Sequence, residues 1–142
     1  MSAQRREPAG DQPGGRFTPE VSAEAEGELS GPDRYREERL AETLAEIGVC
    51  LSDGAELVSM GKQRFDSDWL ARRAAKNIVT EFAETANRLP KLFKQAHPET
   101  PWKAISGMRN RVVHVYENTD PEIVWNVLTN DFPAIRRQLG IG

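Results

Sequence analysis

From residue 33 onward, apolar residues recur at helical spacing, and no stretch shows convincing strand alternation. Leu40, Leu44, Ile47, Leu51 and Val58 form a first stripe, with Cys50 and Ala55 beside it. Asp33 supplies an N-cap and Gly61 a stop, so a long first helix is expected between them, weakened by Gly48 and Gly54. Asp66, Ser67 and Asp68 offer the next cap. Leu70, Ala74, Ile78, Phe82 and Leu89 then share one face of a second long helix that closes at Pro90. Two long helices with a short link predict an antiparallel hairpin.

Residues 91–96 fit a short turn of helix. His97-Pro98-Glu99-Thr100-Pro101-Trp102 reads as a loop punctuated by two prolines. A third helix follows. Asn118-Thr119-Asp120-Pro121-Glu122 then spells another helix start, with Asp120 as N-cap, Pro121 at the first helical position and Glu122 at the positive end of the dipole. Val124, Leu128, Phe132, Ile135 and Leu139 form the stripe of the last helix. Pro133 should bend it or open a hydrogen bond near Thr129, because proline brings no N–H to the carbonyl four residues back. The fold class expected is all-α, and no internal repeat is visible.

Residues 1–32 read differently. They are rich in Gly, Pro, Ser and Glu, and Phe17, Val21 and Leu29 are their only sizeable apolar residues. Such a segment cannot bury enough surface to offset its ordering entropy, so a disordered tail is expected there and a helical domain over residues 33–142. The whole chain has 142 residues, 29% charged and 38% hydrophobic, with a net charge of −3. That balance gives no bulk attraction to nucleic acid; contact with RNA would need a local basic patch. The single cysteine, Cys50, allows no intrachain disulfide and no cysteine-rich zinc site, and its place on an apolar stripe predicts a buried thiol. No metal-like cluster of Asp and Glu appears, and no cofactor is expected. No apolar run reaches the ~18 residues of a membrane span, and no signal peptide follows Arg5 and Arg6, so the cytoplasm is the default location.

The chemistry concentrates in Met108-Arg109-Asn110-Arg111-Val112-Val113-His114-Val115-Tyr116. An arginine and a histidine suffice to break an RNA phosphodiester without a metal, one neutralising charge on the phosphorane while the other moves protons. At 100° per residue, Ile105, Met108, Val112 and Val115 fall within a sector of roughly 80°, the core face. His114 lies about 140° from its centre, so it is either an exposed histidine with no task or a proton carrier. Arg109 and Tyr116 share a margin between core and polar face. Arg109 and His114 are about 140° apart, so one straight helix does not aim both at one phosphate. A long Arg side chain, a distortion near Gly107 or a facing second subunit would close that gap.

Ser106-Gly107-Met108-Arg109-Asn110 through His114 and Tyr116, with Pro101-Trp102-Lys103-Ala104-Ile105 upstream and Val124-Trp125 and Asn130-Asp131-Phe132-Pro133 downstream, resembles the HepT-like branch of the HEPN superfamily. The ordered set of segments is far more specific than Arg-x4-His alone, and it spans about residues 33–139. The resemblance implies a HEPN-like up-down bundle of four to five helices. It implies a homodimer whose Arg-x4-His segments line a cleft between protomers. It also implies a metal-independent ribonuclease toxin whose usual partner is a small nucleotidyltransferase antitoxin of the MntA type. In that family the antitoxin can transfer AMP to the tyrosine that Tyr116 matches. The site so implied is Arg109 and His114 as catalytic residues, Asn110 as an orienting group and Tyr116 as the modification candidate. Two other functions stand beside it: a catalytically silent HEPN-like module that binds nucleotide or RNA, and a structural partner of a nucleotidyltransferase.

Other features receive plainer readings. Arg72, Arg73 and Lys76, with Arg88, Lys91 and Lys94, could track RNA but read first as a solvated helix face. Arg136 and Arg137 suit a helix C-terminus. His97 reads as exposed, and Trp102 and Trp125 as core or dimer anchors.

Overall fold

The computed structural model of the protein describes residues 31–113 and 120–142. The chain divides into two compact units, residues 1–39 and 40–142. Of the first unit only residues 31–39 are described, as the opening of helix α1 (Gly31–Ser59). There Arg36 pairs with Asp33 at 2.7 Å and Arg39 donates to the Tyr35 hydroxyl at 3.2 Å. Asp33 lies inside the first turn rather than ahead of it. Pro32 explains the difference: at a helix start its missing N–H costs nothing, so the helix already includes it. The tail expected over residues 1–32 lies outside the described residues, apart from Gly31 and Pro32, which are helical.

The second unit carries the rest of α1, then α2 (Lys62–Ser67), α3 (Trp69–Asn87), α4 (Lys91–Gln95), α5 (Trp102–Val113), α6 (Pro121–Asn126), a π-helical turn (Val127–Asp131) and α7 (Phe132–Leu139). Among the described residues there is no strand, so the all-α, HEPN-like reading holds. No described helix is long and apolar enough to cross a membrane.

Cross-contacts give the directions of the helices. Glu46 meets Arg88 at 3.1 Å and Cys50 faces Glu81 at 3.9 Å, so rising positions on α1 meet falling positions on α3. The same holds against the last helical rod, where Ser52 accepts from Arg136 and Gly54 lies against Phe132 and Leu128. Both neighbours of α1 are therefore antiparallel to it. Gly61 ends the first segment as expected: its φ of +93° suits glycine, and its N–H donates to the Val58 carbonyl at 2.9 Å. Asp68 caps α3 by accepting from the N–H groups of Leu70 and Ala71, and Asp120 caps α6 by accepting from Glu122 N–H. The link between the two long helices is not bare loop; α2 occupies it and sinks Phe65 into the core beside the Trp125 ring, 4.9 Å away.

Pro133 acts as its chemistry requires. With no proline N–H for the Thr129 carbonyl, the ladder widens by one residue ahead of it, and Phe132 N–H reaches back to Val127. The Thr129 hydroxyl donates to Trp125 O at 2.9 Å.

One face differs from expectation. The buried seam of α3 is Ala71, Ala75, Val79, Phe82, Ala83 and Ala86, whereas Leu70 is 59% exposed and Ala74 faces solvent. The alanines let neighbouring helices approach closely, and they share a line with Phe82 at coiled-coil-like spacing. A stripe chosen by side-chain size is displaced one residue from that line. Phe82 packs against Phe132 at a centroid distance of 4.8 Å, the centre of a core that also holds Ile47, Leu51, Ile105, Val112, Leu128 and Ile135.

Candidate active site

The helix that carries the motif is set by the loop before it. The Trp102 indole N–H donates to two carbonyls, Lys94 O at 3.1 Å and His97 O at 2.9 Å. Trp102 N–H donates to Thr100 O at 2.8 Å and Thr100 N–H to His97 O at 3.2 Å. His97 is not a plain surface residue. It is half-buried and stacked on Phe93 with centroids 4.3 Å apart, its Nδ1 lying 2.9 Å from Phe93 O. Ring stacking against an aromatic four residues back was not visible in a proline-flanked loop. Trp102 and Trp125 both pack against the core as partly buried side chains, in line with their reading as anchors.

Ile105, Met108 and Val112 are buried, as the 100° construction placed them. This rotation brings Arg109 to the margin, with its side chain 43% exposed. Its Nε donates to Glu84 Oε2 of α3 at 2.8 Å. A surface pair like this contributes only about 0–1 kcal/mol to stability. Its larger effect is geometric: with Nε engaged, the two terminal amino groups have no partner among the described residues, and together they form the fork that suits a phosphate. Asn110 beside it faces solvent. Arg111 is exposed and its charge opposes the upward push that burial gives the Asp131 carboxyl.

His114 and Tyr116, the other two residues of the expected site, lie outside the described residues. The structure thus places Arg109 and Asn110 on the polar side of α5. Glu84 was missed by sequence reasoning: it sits 25 positions away on another helix, where nothing in its local pattern sets it apart from other surface carboxylates.

The remaining candidates resolve plainly. Cys50 is 3% exposed, and its thiol is pushed up to about 11 by burial, with the Glu81, Asp53 and Glu46 carboxylates adding to the shift. Arg88 is paired with Glu46, and Lys94 lies over the Trp102 ring at 5.9 Å, so both serve the scaffold. Arg136 donates to Ser52 Oγ and to the Gly142 carbonyl beyond α7.

Comparison with known proteins bears on the family of the chain. A family model described as Ribonuclease HepT-like matches residues 40–140. A protein of Caldanaerobacter subterraneus subsp. tengcongensis, provisionally named an RNase, is 31% identical over 75 residues, covering 53% of this chain and 67% of its own length. A Thermococcus cleftensis protein, provisionally named ribonuclease HepT, is 32% identical over 53 residues, or 37% of this chain; the match spans about half of that relative, 48%. A Methanocaldococcus jannaschii protein, also provisionally named an RNase, is 26% identical over 77 residues, 54% of this chain and 71% of the relative. No solved structure matches. With the family match extending from the middle of α1 through α7 and enclosing the whole motif, the chain belongs to the HepT-like ribonuclease family.

Proposed function

We propose that this protein is a metal-independent endoribonuclease toxin acting as a homodimer in the cytoplasm, with residues 33–142 as its working domain. The observation that carries the reading is Arg109, tethered by Nε to Glu84 and with no partner for its terminal amino groups among the described residues, at the start of an intact Arg-x4-His-x-Tyr motif. In this reading the RNA 2′-hydroxyl attacks its own phosphate. His114 takes the hydroxyl proton and protonates the leaving 5′-oxygen, roles its ordinary pKa of about 6.5 suits near neutrality. Arg109 holds the phosphate and offsets the charge of the pentavalent state. Asn110 orients the phosphate or the imidazole. The products carry a 2′,3′-cyclic phosphate and a free 5′-hydroxyl.

The same reading gives the protein a cognate nucleotidyltransferase antitoxin that moves AMP from ATP to the Tyr116 hydroxyl and releases pyrophosphate. AMP there adds bulk and negative charge next to the motif and repels RNA. The test is expression without the partner, wild type beside His114→Ala and Arg109→Ala, following RNA integrity and end groups with and without a chelator. Wild type should cleave in both conditions, and each variant should lose about 100-fold or more. Full activity in His114→Ala, or none in wild type, would sink the reading; the second outcome would leave the nucleotidyltransferase complex as the function.

A further inference from the structure

The helix that carries the motif departs from the charge balance of the chain as a whole. The chain has 22 acidic and 19 basic residues, yet α5 (Trp102–Val113) holds Lys103, Arg109 and Arg111 and no acidic residue. A local basic patch of this kind is what contact with RNA requires in an acidic protein. Arg109 has its role in the motif, but Lys103 and Arg111 have none there.

Helical register puts the two on one line. At 100° per residue, Lys103, Gly107 and Arg111 drift by only about 40° per step, so the line they form is about 12 Å long. Ser106 and Asn110 form a second line beside it, on the side toward Arg109. Lys103, Ser106, Asn110 and Arg111 are exposed, while Ile105, Met108 and Val112 are buried on the opposite face. Packing does not account for Gly107, because an added Cβ would meet no described atom within 4 Å. A glycine weakens a helix interior; what its bare surface permits is the close approach of a ligand to the helix.

The helix itself explains one of the two cations and not the other. Arg111 lies in the last turn, where the dipole favours positive charge. Lys103 lies in the first turn, where the dipole disfavours it. Neither side chain has a hydrogen bond or an ion pair among the described residues. Asp131 of the π-helical turn lies near enough to feel the charge of Arg111 but forms no ion pair with it.

We propose that the exposed face of α5 is a track for the backbone of an RNA strand, with Lys103 and Arg111 holding phosphates that flank the one at Arg109. Lys103 stands about 9 Å before Arg109 along the axis, and Arg111 lies about 200° around the helix from it, so neither shares the phosphate at Arg109. Between them Ser106 and Gly107 leave room for the strand to lie close. The track rests on the ribonuclease reading for its role, and its effect falls on substrate binding rather than on the chemical step.

The test uses the full chain and a short single-stranded 2′-O-methyl oligoribonucleotide, which lacks the attacking hydroxyl, with binding followed by fluorescence anisotropy. Lys103→Gln and Arg111→Gln should each lower the slope of log affinity against log salt by about 0.7, one single-strand phosphate, and the double variant by about 1.4. Over a fourfold rise in salt, the affinity of each single variant should therefore fall about 2.6-fold less than that of wild type. Lys103→Arg and Arg111→Lys should keep the wild-type slope. So should Arg137→Gln, which removes the same charge from an exposed position on α7. In cleavage, the loss should fall on KM rather than on kcat. A wild-type slope in the double variant would overturn the track, as would an equal drop in Arg137→Gln, which would reduce the effect to net charge. A change in sedimentation of the double variant with unchanged RNA affinity would also overturn it and make the face a protein contact. The two readings fail separately: a wild type that binds through Lys103 and Arg111 but never cleaves keeps the track and loses the ribonuclease, and a wild type that cleaves, with the double variant matching its KM and salt slope, does the reverse.

Discussion

Gly48 and Gly54 both interrupt α1, and their replacement by alanine should have opposite effects. In a helix interior, Gly→Ala gains about 1 kcal/mol from backbone entropy and helix propensity alone. At Gly48 an added Cβ would stand 3.5 Å from Ile141 Cγ2, an ordinary contact, so nearly the whole gain should appear. At Gly54 the Cβ would stand 2.8 and 2.9 Å from Phe132 Cδ2 and Cε2, and 3.1 Å from Leu128 Cδ2. The Phe132 ring cannot swing aside, because it is 2% exposed and packed on Phe82. Overpacking of a tight core costs about 1–3 kcal/mol, and two contacts below 3.0 Å put this site at the upper end. The net expectation is Gly48→Ala stabilised by about 0.5–1 kcal/mol and Gly54→Ala destabilised by about 2 kcal/mol. Urea titrations followed by far-UV circular dichroism, at one protein concentration, measure both. A Phe132→Leu background should remove most of the Gly54→Ala penalty, since the ring is the obstacle. Equal stability of the two alanine variants, or a Gly54→Ala penalty unchanged by Phe132→Leu, would refute the close-approach argument.

Cys50 should resist alkylation in the native state: at a pKa of about 11 only about a thousandth of it is thiolate at pH 8, and the thiol is buried as well. Iodoacetamide labelling at the rate of a free thiol, without denaturant, would contradict this. The Asp68 carboxyl is held below its ordinary value by Arg64 first and then by the Leu70 amide, so its contribution is present above the ordinary value of 3.8 and is lost as pH falls through the lowered one. Asp68→Ala should therefore flatten the acid limb of the stability profile; an unchanged limb refutes the assignment. Asp131 is the opposite case: burial raises its pKa against the pull of Arg111, so the stability it confers is full in acid and is lost as pH rises through the raised value. Asp131→Asn should match or exceed wild-type stability at pH 7 and lose that advantage in acid, checked by thermal melts across pH. Glu84→Gln should stay within about 1 kcal/mol of wild-type stability, as an exposed pair allows, yet lower RNA cleavage by loosening Arg109; unchanged kcat/KM would show that the tether does not matter.

The punctuation of the fold was legible because each mark is local chemistry. Asp68 and Asp120 cap helices through bonds to amides two or three residues on, Gly61 adopts a positive φ, and Pro133 opens the ladder at the carbonyl four residues back. The seam of α3 was not legible, because size and burial part company there. Four alanines make the contact while Leu70 and Trp69 stand in solvent. Close helix packing selects small residues, which a hydrophobic count underweights. The two glycines of α1 show the same limit: both look like helix defects in the sequence, but only the packing distinguishes a near-neutral one from one that seats an aromatic ring.

The candidate site divides along the same line. The core face of α5 follows from helical geometry, and Arg109 lands on its margin as that geometry demands. Its tether to Glu84 is a tertiary fact, and it bears on the difficulty that Arg109 and His114 diverge by about 140° on a straight helix. In the proposed homodimer, a second copy of the motif across the cleft would bring the histidine to an arginine held toward α3. Mixed dimers test this directly. Protomers carrying Arg109→Ala mixed with protomers carrying His114→Ala should regain about a quarter of wild-type cleavage if the residues act across the interface, because half of the randomly formed dimers then hold one intact composite site of two. If each site is built within one protomer, the mixture should stay as inactive as either variant alone.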